Sequence, residues 1–565
     1  MEKSAEDIFE GFKEHSIAEF FKRNKQMLGY SGKVHSMVTV VHEYVSNSMD
    51  ACEDAGILPF ISVRIKQLGD ERYSISVDDN GPGVPKKFVG KALGTILTGT
   101  KFHVYRQQRG QQGIGAAGCT LFAQITTGKP IHVVSSTGEN AYGCDISIDI
   151  GKNKPVVNNI LPAERKSKGL SVQGEFEGIK YENSEKSVFE YLRRTALANP
   201  HVEIMFYAPD GKEYTFTRSV ETIPSPSKAI KPHPLGISVN DLLDFARVSS
   251  SRKTSVFLSE TFARMSSAKV QEITGIVGES ITDKAPKDLD WASAESLIKA
   301  FKSVKWIAPD ATAISSIGEE RVKAAIDNIL TPEYVYIVER KPQVLHGGIP
   351  FIVEAAIAYG GNSGRKSSED EYTWNIMRFA NRVPLLFDAG SCAITEAVKG
   401  IQWKRYGIDI DNRPVSIFVN VSSVYIPYSG VGKEAISKEE ELVEEIRLAL
   451  MDTARGLQKY IGGKQKVSAA KTRYRTLMNY AGQLSSDLSY LTKADKKEIE
   501  RSLERLILKH YPKAKESDAE LEEEKGALII PGFEASISLI CPIDMKRRSS
   551  SASFAVLVLS LSVKS

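Results

Sequence analysis

The stretch 34–56, VHSMVTVVHEYVSNSMDACEDAG, limits what this chain can become more than any other. At about 100° per residue, Met37, Val41, Tyr44, Val45, Ser48 and Cys52 share one stripe of a helix, while Glu43, Asn47, Asp50 and Asp54 form a second stripe roughly opposite. Such a helix buries one side and offers the other to water or to a ligand. Glu43 and Asn47 are one turn apart, so a carboxylate and an amide oxygen project side by side. Taken alone, the pair reads as a solvated polar face.

Two further signals follow in order. In YSISVDDNGPGV, Tyr73, Ile75 and Val77 alternate as a strand before Asp79-Asn80-Gly81-Pro82-Gly83, which alone signals only a turn. The run from Arg109 through Gly110, Gln111, Gln112, Gly113, Ile114, Gly115, Ala116 and Ala117 to Gly118 then leads into the apolar stretch Cys119 to Ile125. Glycines let backbone N–H groups surround an anion, and a helix N-terminus adds a favourable dipole. A lone G-x-x-G-x-G is weak evidence, but E-x-x-x-N, D-x-G-x-G and G-x-x-G-x-G in this order are far more specific. The set resembles the GHKL (Bergerat) ATP-binding α/β sandwich shared by gyrase, the ninety-kilodalton heat-shock chaperone, histidine kinases and MutL. The Walker A string of P-loop proteins does not occur.

Composition sets bounds on the rest. A chain of 565 residues is too long for one core, and 42% hydrophobic with 25% charged residues is ordinary for a globular protein. A net charge of +4 permits local basic patches without implying nucleic acid. Cys52, Cys119, Cys144, Cys392 and Cys541 are dispersed without C-x-x-C spacing, which points to a reducing compartment and away from structural zinc. No run reaches eighteen apolar residues and the chain starts with the charged MEKSAEDIFEGFKEH, so neither secretion nor a membrane partner is expected.

The order of elements divides the chain. Residues 1–30 hold an amphipathic helix with Ile8, Phe9, Phe12, Ile17, Phe20 and Phe21, which either docks on its own domain or reaches a second copy as a strap. Residues 31–225 form the nucleotide-binding unit, with ISVRIKQL, YSISVDD, FAQITTG, PIHVVSS, CDISIDI, GLSVQGEFEG and HVEIMFYAPDG as strands and KSVFEYLRRTALANP as a helix. Past the proline-rich 222–236, residues 226–305 form a helical unit whose basic residues Arg247, Arg252, Lys253, Arg264 and Lys269 face either solvent or phosphates. Residues 306–470 form a second α/β unit with PEYVYIVERKPQVL, PFIVEAAIAYGG, MRFANRVPLLF, WKRYGID and PVSIFVNVSSVYIP as strands. Asp409-Ile410-Asp411 reads as a turn beside Asn412-Arg413-Pro414 rather than a magnesium pair. A helical arm at 471–515 and a small β-rich extension at 516–565 complete the chain.

RFANRVPLLFD, SGVGKEA and the helical insert after HPLG narrow the likeness. Together with the nucleotide motifs they resemble the B subunits of topoisomerase VI, the type IIB enzymes, over roughly residues 15–510. The resemblance implies a helix-two-turns-helix insert, a ribosomal S5 domain 2-like transducer with long C-terminal helices, and ATP and Mg2+ as cofactors. It also implies residue roles: Glu43 as general base, Asn47 as a magnesium ligand and Asp79 as acceptor for the adenine amine, with Gly81 and Gly83 turning the chain near the base. Thr100, Lys101, Gly110, Gln111, Gln112, Gly113, Ile114, Gly115, Ala116 and Gly118 would surround the phosphates, partly from a lid, and Lys433 would sense the γ-phosphate. The implied partners are a cleaving A subunit in an A2B2 heterotetramer, a second B subunit on ATP binding, and double-stranded DNA. The implied setting is an archaeal cytoplasm, or a nucleus if the source is eukaryotic. A MutL-like repair ATPase shares the pocket but lacks the insert, a histidine kinase needs a phosphoacceptor helix before Glu43, and a DNA-binding module without ATPase activity leaves the three motifs unexplained.

Overall fold

Alternation around residues 60–79 produces a hairpin in which β1 (Phe60–Gly69) and β2 (Arg72–Asp79) run antiparallel with Ile65 opposite Ile75. It belongs to a sheet in the computed structural model, which describes residues 16–98, 105–110, 113–138, 140–307, 313–345, 347–366, 372–430 and 432–511. The remaining strands of that sheet are β3 (Ile131–Ser136), β4 (Ala141–Asp149), β5 (Lys154–Pro162), β6 (Gly169–Glu177), β7 (Glu203–Tyr207) and β8 (Glu213–Phe216). Among the described residues the order is β5-β4-β3-β6-β2-β1-β7-β8, with β7 parallel to β1 and the other pairings antiparallel.

Helices Lys33–Asp54, Gly115–Thr127 and Val188–Ala198 pack against this sheet and share one core with it, where Val41, Val45, Phe122 and Tyr191 meet Ile61, Ile75, Val133 and Phe176. Burying side chains of this size stabilises the layer by about 1.5–3 kcal/mol each. The Lys33–Asp54 helix buries a broader stripe than its periodicity alone marks, since Val38, Val40 and Met49 are also inside. FAQITTG, read from sequence as a strand, instead ends the Gly115–Thr127 helix. Tertiary packing overrides its β-branched residues, because Cys119, Leu121, Phe122 and Ala123 all reach the core at helical spacing.

The described part of the N-terminal segment begins at Ser16, which caps helix Ile17–Arg23. Ala18 and Phe21 pack on Ala117, Leu121 and Ile148 of the same chain while Phe20 stays exposed. Residues 1–15, including Ile8, Phe9 and Phe12, lie outside the described residues.

Helices Val239–Val248, Thr254–Thr261, Ser267–Val277 and Trp291–Ser303 enclose a separate core around Phe257, Phe262, Ile273 and Phe301. The second sheet follows. β9 (Tyr334–Glu339) and β10 (Gln343–Leu345) both pair with β11 (Ile349–Tyr359); the short pair β12 (Arg365–Lys366) and β13 (Tyr372–Thr373) stands apart. β14 (Asn375–Ala380), β15 (Val383–Pro384) and β16 (Val415–Ser423) complete the order β10-β11-β16-β14-β15. WKRYGID is not a strand as its sequence suggested: Trp403–Tyr406 is a 3-10 turn whose Trp403 indole N–H donates to Val398 O. Asp409 does sit in a turn, accepting from the Asn412 amide.

Two units emerge from the contacts, Met1–Gly462 and Gly463–Ser565. Helix Glu440–Thr492 begins in the first, where Leu442, Ile446, Leu450 and Leu457 join the core of the second sheet. The described part of the second unit is the remainder of that helix, where Ala481 and Ser485 are buried, and helix Lys496–His510, which has no buried residue. Residues 512–565, and with them the expected β-rich extension, lie outside the described residues. Among the described residues no helix is long and apolar enough to cross a membrane.

Candidate active site

A cavity of about 730 Å³ opens between the exposed side of helix Lys33–Asp54, the end of β2 and the start of helix Gly115–Thr127. Glu43, Asn47, Asp79, Gly83, Gly110, Gly113, Ile114, Gly115, Ala116, Gly118 and Lys433 all line it. The three separate sequence signals therefore meet around one space. Glu43 is half-buried and Asn47 exposed, one turn apart on the same helix face.

At the far end Asp79 is buried, 4% exposed, and its carboxylate is held by three donors. Ser48 Oγ donates to it at 2.7 Å, Gly81 N at 2.9 Å and Leu170 N at 3.1 Å. Burial raises the Asp79 pKa, and the three donors oppose that shift. Asn80 fixes the turn, accepting from Phe60 N at 2.8 Å and donating to Leu58 O at 3.0 Å. Gly83 has φ +71°, and a β-carbon there would overlap the Ser136 carbonyl, so this crossing of β3 admits glycine only.

Helix Gly115–Thr127 starts without a side-chain cap. The N–H groups of Gly115, Ala116 and Ala117 have no helical carbonyl four residues back, and they carry the positive end of the helix dipole. Gly118 differs from the other glycines: its N–H already bonds Ile114 O at 2.6 Å, so it serves the helix rather than a ligand. Thr100, Lys101, Gln111 and Gln112 lie outside the described residues.

Lys433 enters from the loop after the second sheet with φ +55°. The adjoining Glu434 places Oε1 2.5 Å from His35 Nε2, and His35 packs on Phe387 with ring centroids 4.0 Å apart and the planes tilted by 41°, which seats this loop on the nucleotide-binding unit. Burial lowers the His42 pKa; neighbouring Glu43 raises it, and the Lys433 charge lowers it further. His42 Nδ1 itself lies 3.1 Å from Tyr191 Oη.

Periodicity assigned Ser48 to the core stripe and overlooked its role as a donor to Asp79. In the sequence Arg109 marks the start of the glycine run. Its side chain, 5% exposed, meets Asp50 Oδ1 at 2.7 Å and Glu53 Oε1 at 2.6 Å. The spacing of Asp50 and Glu53, on the helix face next to Asn47, was the one available hint. Burial pushes Glu53 up, but the Arg109 charge and the His201 N–H outweigh it and hold the carboxyl well below its usual range.

Of the helical insert's basic residues, Arg247, Arg252, Lys253 and Arg264 are exposed and Lys269 half-buried. Arg247 pairs with Asp244 at 3.0 Å, Lys253 with Asp283 at 2.9 Å and Lys269 with Glu272 at 2.8 Å.

An α/β layer with an acid, an amide and an uncapped helix start around one deep cavity defines a class, and the family profile for histidine kinase-, DNA gyrase B- and HSP90-like ATPases matches residues 32–153. The profile for the topoisomerase VI B subunit transducer matches residues 309–473. The B subunit of type 2 DNA topoisomerase 6 from Methanothermobacter thermautotrophicus is 42% identical, covering 89% of this chain and 97% of the relative. Its counterpart from Pyrococcus horikoshii is 41% identical over 92% and 100%. The chain belongs to the family of type 2 DNA topoisomerase 6 B subunits, and with its ATPase domain it is an ATP-dependent topoisomerase component.

Proposed function

We propose that this chain binds ATP with Mg2+ in the cavity, hydrolyses it with Glu43 as general base, and uses the cycle to close two B subunits over a DNA duplex. The observation that carries this reading is that Glu43, the start of helix Gly115–Thr127 and Lys433 line one cavity although they come from different parts of the chain. In-line attack on the γ-phosphate needs an oriented water, neutralised phosphates and donors around the transferring group. Glu43 accepts the proton of the water. Asp79, fixed by Ser48 and two backbone donors, accepts from the adenine amine. First-turn N–H groups of helix Gly115–Thr127 meet the phosphates, as helix starts do. Asn47 fits a Mg2+ site, since an exposed amide at the cavity wall suits an ion held by one protein oxygen and the nucleotide's phosphates. That ion would neutralise phosphate charge.

Lys433 would contact the γ-phosphate and so tie the nucleotide to the second sheet. The long helices would carry the motion to an A subunit in an A2B2 assembly, which cuts one duplex for another to pass, relaxing and decatenating DNA. Arg247, Arg252, Lys253, Arg264 and Lys269 would add sequence-independent phosphate contacts. The N-terminal strap would reach the second B subunit on ATP binding. The family's archaeal members make the archaeal cytoplasm the expected setting.

Sedimentation of the chain with and without a non-hydrolysable ATP analogue and Mg2+ tests the reading. A monomer that dimerises only with nucleotide is the expected result. Absence of nucleotide binding in a direct titration would sink it.

A further inference from the structure

Arg109 sits where the phosphate loop leaves the segment that touches the second sheet. Its guanidinium is buried and needs several acceptors, and it finds them on two helices. Nη1 reaches Asp50 at 2.7 Å and Nη2 reaches Glu53 at 2.6 Å, both on the helix that carries Glu43 and Asn47. Nη2 also donates to Asn199 Oδ1 at 2.6 Å, just past helix Val188–Ala198. The next residue, Gly110, lines the cavity.

From the same point two hydrogen bonds lead to the turn between β14 and β15. Asn199 Nδ2 donates to Arg382 O at 3.0 Å, and Asn381 Nδ2 donates to Gln108 O at 3.2 Å. Asn381 and Arg382 hold φ values of +49° and +68°, the positive pair that a two-residue hairpin turn between antiparallel strands requires. It is anchored in its own sheet as well: Asn381 exchanges bonds with Ser423 at 2.9 Å in both directions, and Arg382 N donates to Asn420 Oδ1 at 3.1 Å. Asn420 in turn donates to buried Glu354 at 2.8 Å. Charge-assisted bonds in a buried, water-poor setting are strong and directional, and bonds that share donors and acceptors in this way are coupled; Arg109 Nε and Arg382 Nε are buried there with no hydrogen-bond partner among the described residues.

We propose that Arg109 is a positioning residue that ties the phosphate loop to the catalytic helix and, through Asn199 and the Gln108 carbonyl, ties both to the Asn381–Arg382 turn. Nucleotide engagement of the loop thus reaches the second sheet by a route separate from Lys433. The inference rests on the ATP reading above and adds a coupling element to it.

The test uses the full chain with Cys541→Ser and spin labels at Asp70→Cys and Lys399→Cys, both exposed positions on the two sheet units. Affinity for AMPPNP with Mg2+ is measured by calorimetry, and the distance between labels by pulsed electron paramagnetic resonance across the same titration. Without further substitution, the distance change is expected to follow occupancy. Asn381→Gly keeps a residue suited to positive φ while removing the amide bonds; AMPPNP should bind within about threefold of the parent, yet at saturation the fraction of molecules that reach the shifted distance should fall about threefold. Arg109→Lys, a single point charge in place of a fork, should uncouple the two readouts further. A purely structural role would move stability without separating binding from response. If Arg109→Lys does not fold, Asn381→Gly alone decides. Binding by the parent with no distance change, or variants whose distance change at saturation equals the parent's, overturns the coupling and leaves the ATP reading standing. No AMPPNP binding by the parent overturns both.

Discussion

The carboxylate of Glu43 lies against the α-carbon of Gly115, so closely that a β-carbon added at Gly115 would fall within the space of the Glu43 side chain. The first residue of the phosphate-side helix and the proposed base thus touch, and a β-carbon fits at Gly115 only if the Glu43 carboxylate moves away. Gly115→Ala should leave the fold intact, since alanine favours helices, yet displace Glu43. Steady-state ATPase assays are expected to show kcat reduced about tenfold or more, with an unchanged melting temperature.

Removing the base outright separates binding from chemistry. Glu43→Ala should still bind ATP, because the adenine and phosphate contacts come from other residues, while turnover falls about 10²–10⁴-fold. Normal turnover in this variant would refute the assignment.

Asp79 accepts three hydrogen bonds, two of them from backbone N–H groups. Asp79→Asn would turn an amide N–H2 toward at least one of those donors and lose the adenine acceptor. Leaving buried polar groups unpaired costs about 1–3 kcal/mol each, so nucleotide affinity should fall at least tenfold in calorimetry.

Lys433→Ala tests the γ-phosphate contact. Nucleotide should still bind, but dimerisation driven by a non-hydrolysable analogue should weaken markedly. Unchanged dimerisation by sedimentation would count against the sensor role.

Acid should expose the Arg109 junction. Glu53 has a folded-state pKa below its ordinary value of 4.5. Its stabilising contribution is therefore complete above that value and is lost as pH falls through the folded pKa. His201 beside it has its pKa lowered from 6.5, chiefly by burial, so it begins to cost stability as pH drops below that value. Glu53→Gln should be less stable by about 3 kcal/mol near neutrality, because Arg109 loses a buried partner. Its melting temperature should then fall less steeply than the parent's below pH 4.5.

Short-range patterns carried much of this. The spacing of Glu43 and Asn47, the D-x-G-x-G turn and the G-x-x-G-x-G run each obey local geometry, and all three line one cavity. The turn at Asp409 was legible for the same reason, since Asn412 bonds it three residues away. FAQITTG and WKRYGID were misread because β-branched and aromatic residues favour strands only when a sheet is there to receive them. In both places the available partner was a packed core: Phe122 meets Phe176, and Trp403 joins the core of the second sheet.

By itself the sequence determined the helix that presents Glu43 and Asn47, the order of the nucleotide motifs and the family strings, because helical and strand periodicity act over a few residues. Only the tertiary structure decided that Ser48 serves Asp79, that Arg109 bridges two helices, and that Asn381 reaches the Gln108 carbonyl 273 positions away. These partners are chosen by which polar groups are buried together. A buried arginine or carboxylate must find its counter-charge wherever the fold brings one within about 3 Å, and no local window of sequence contains that distance.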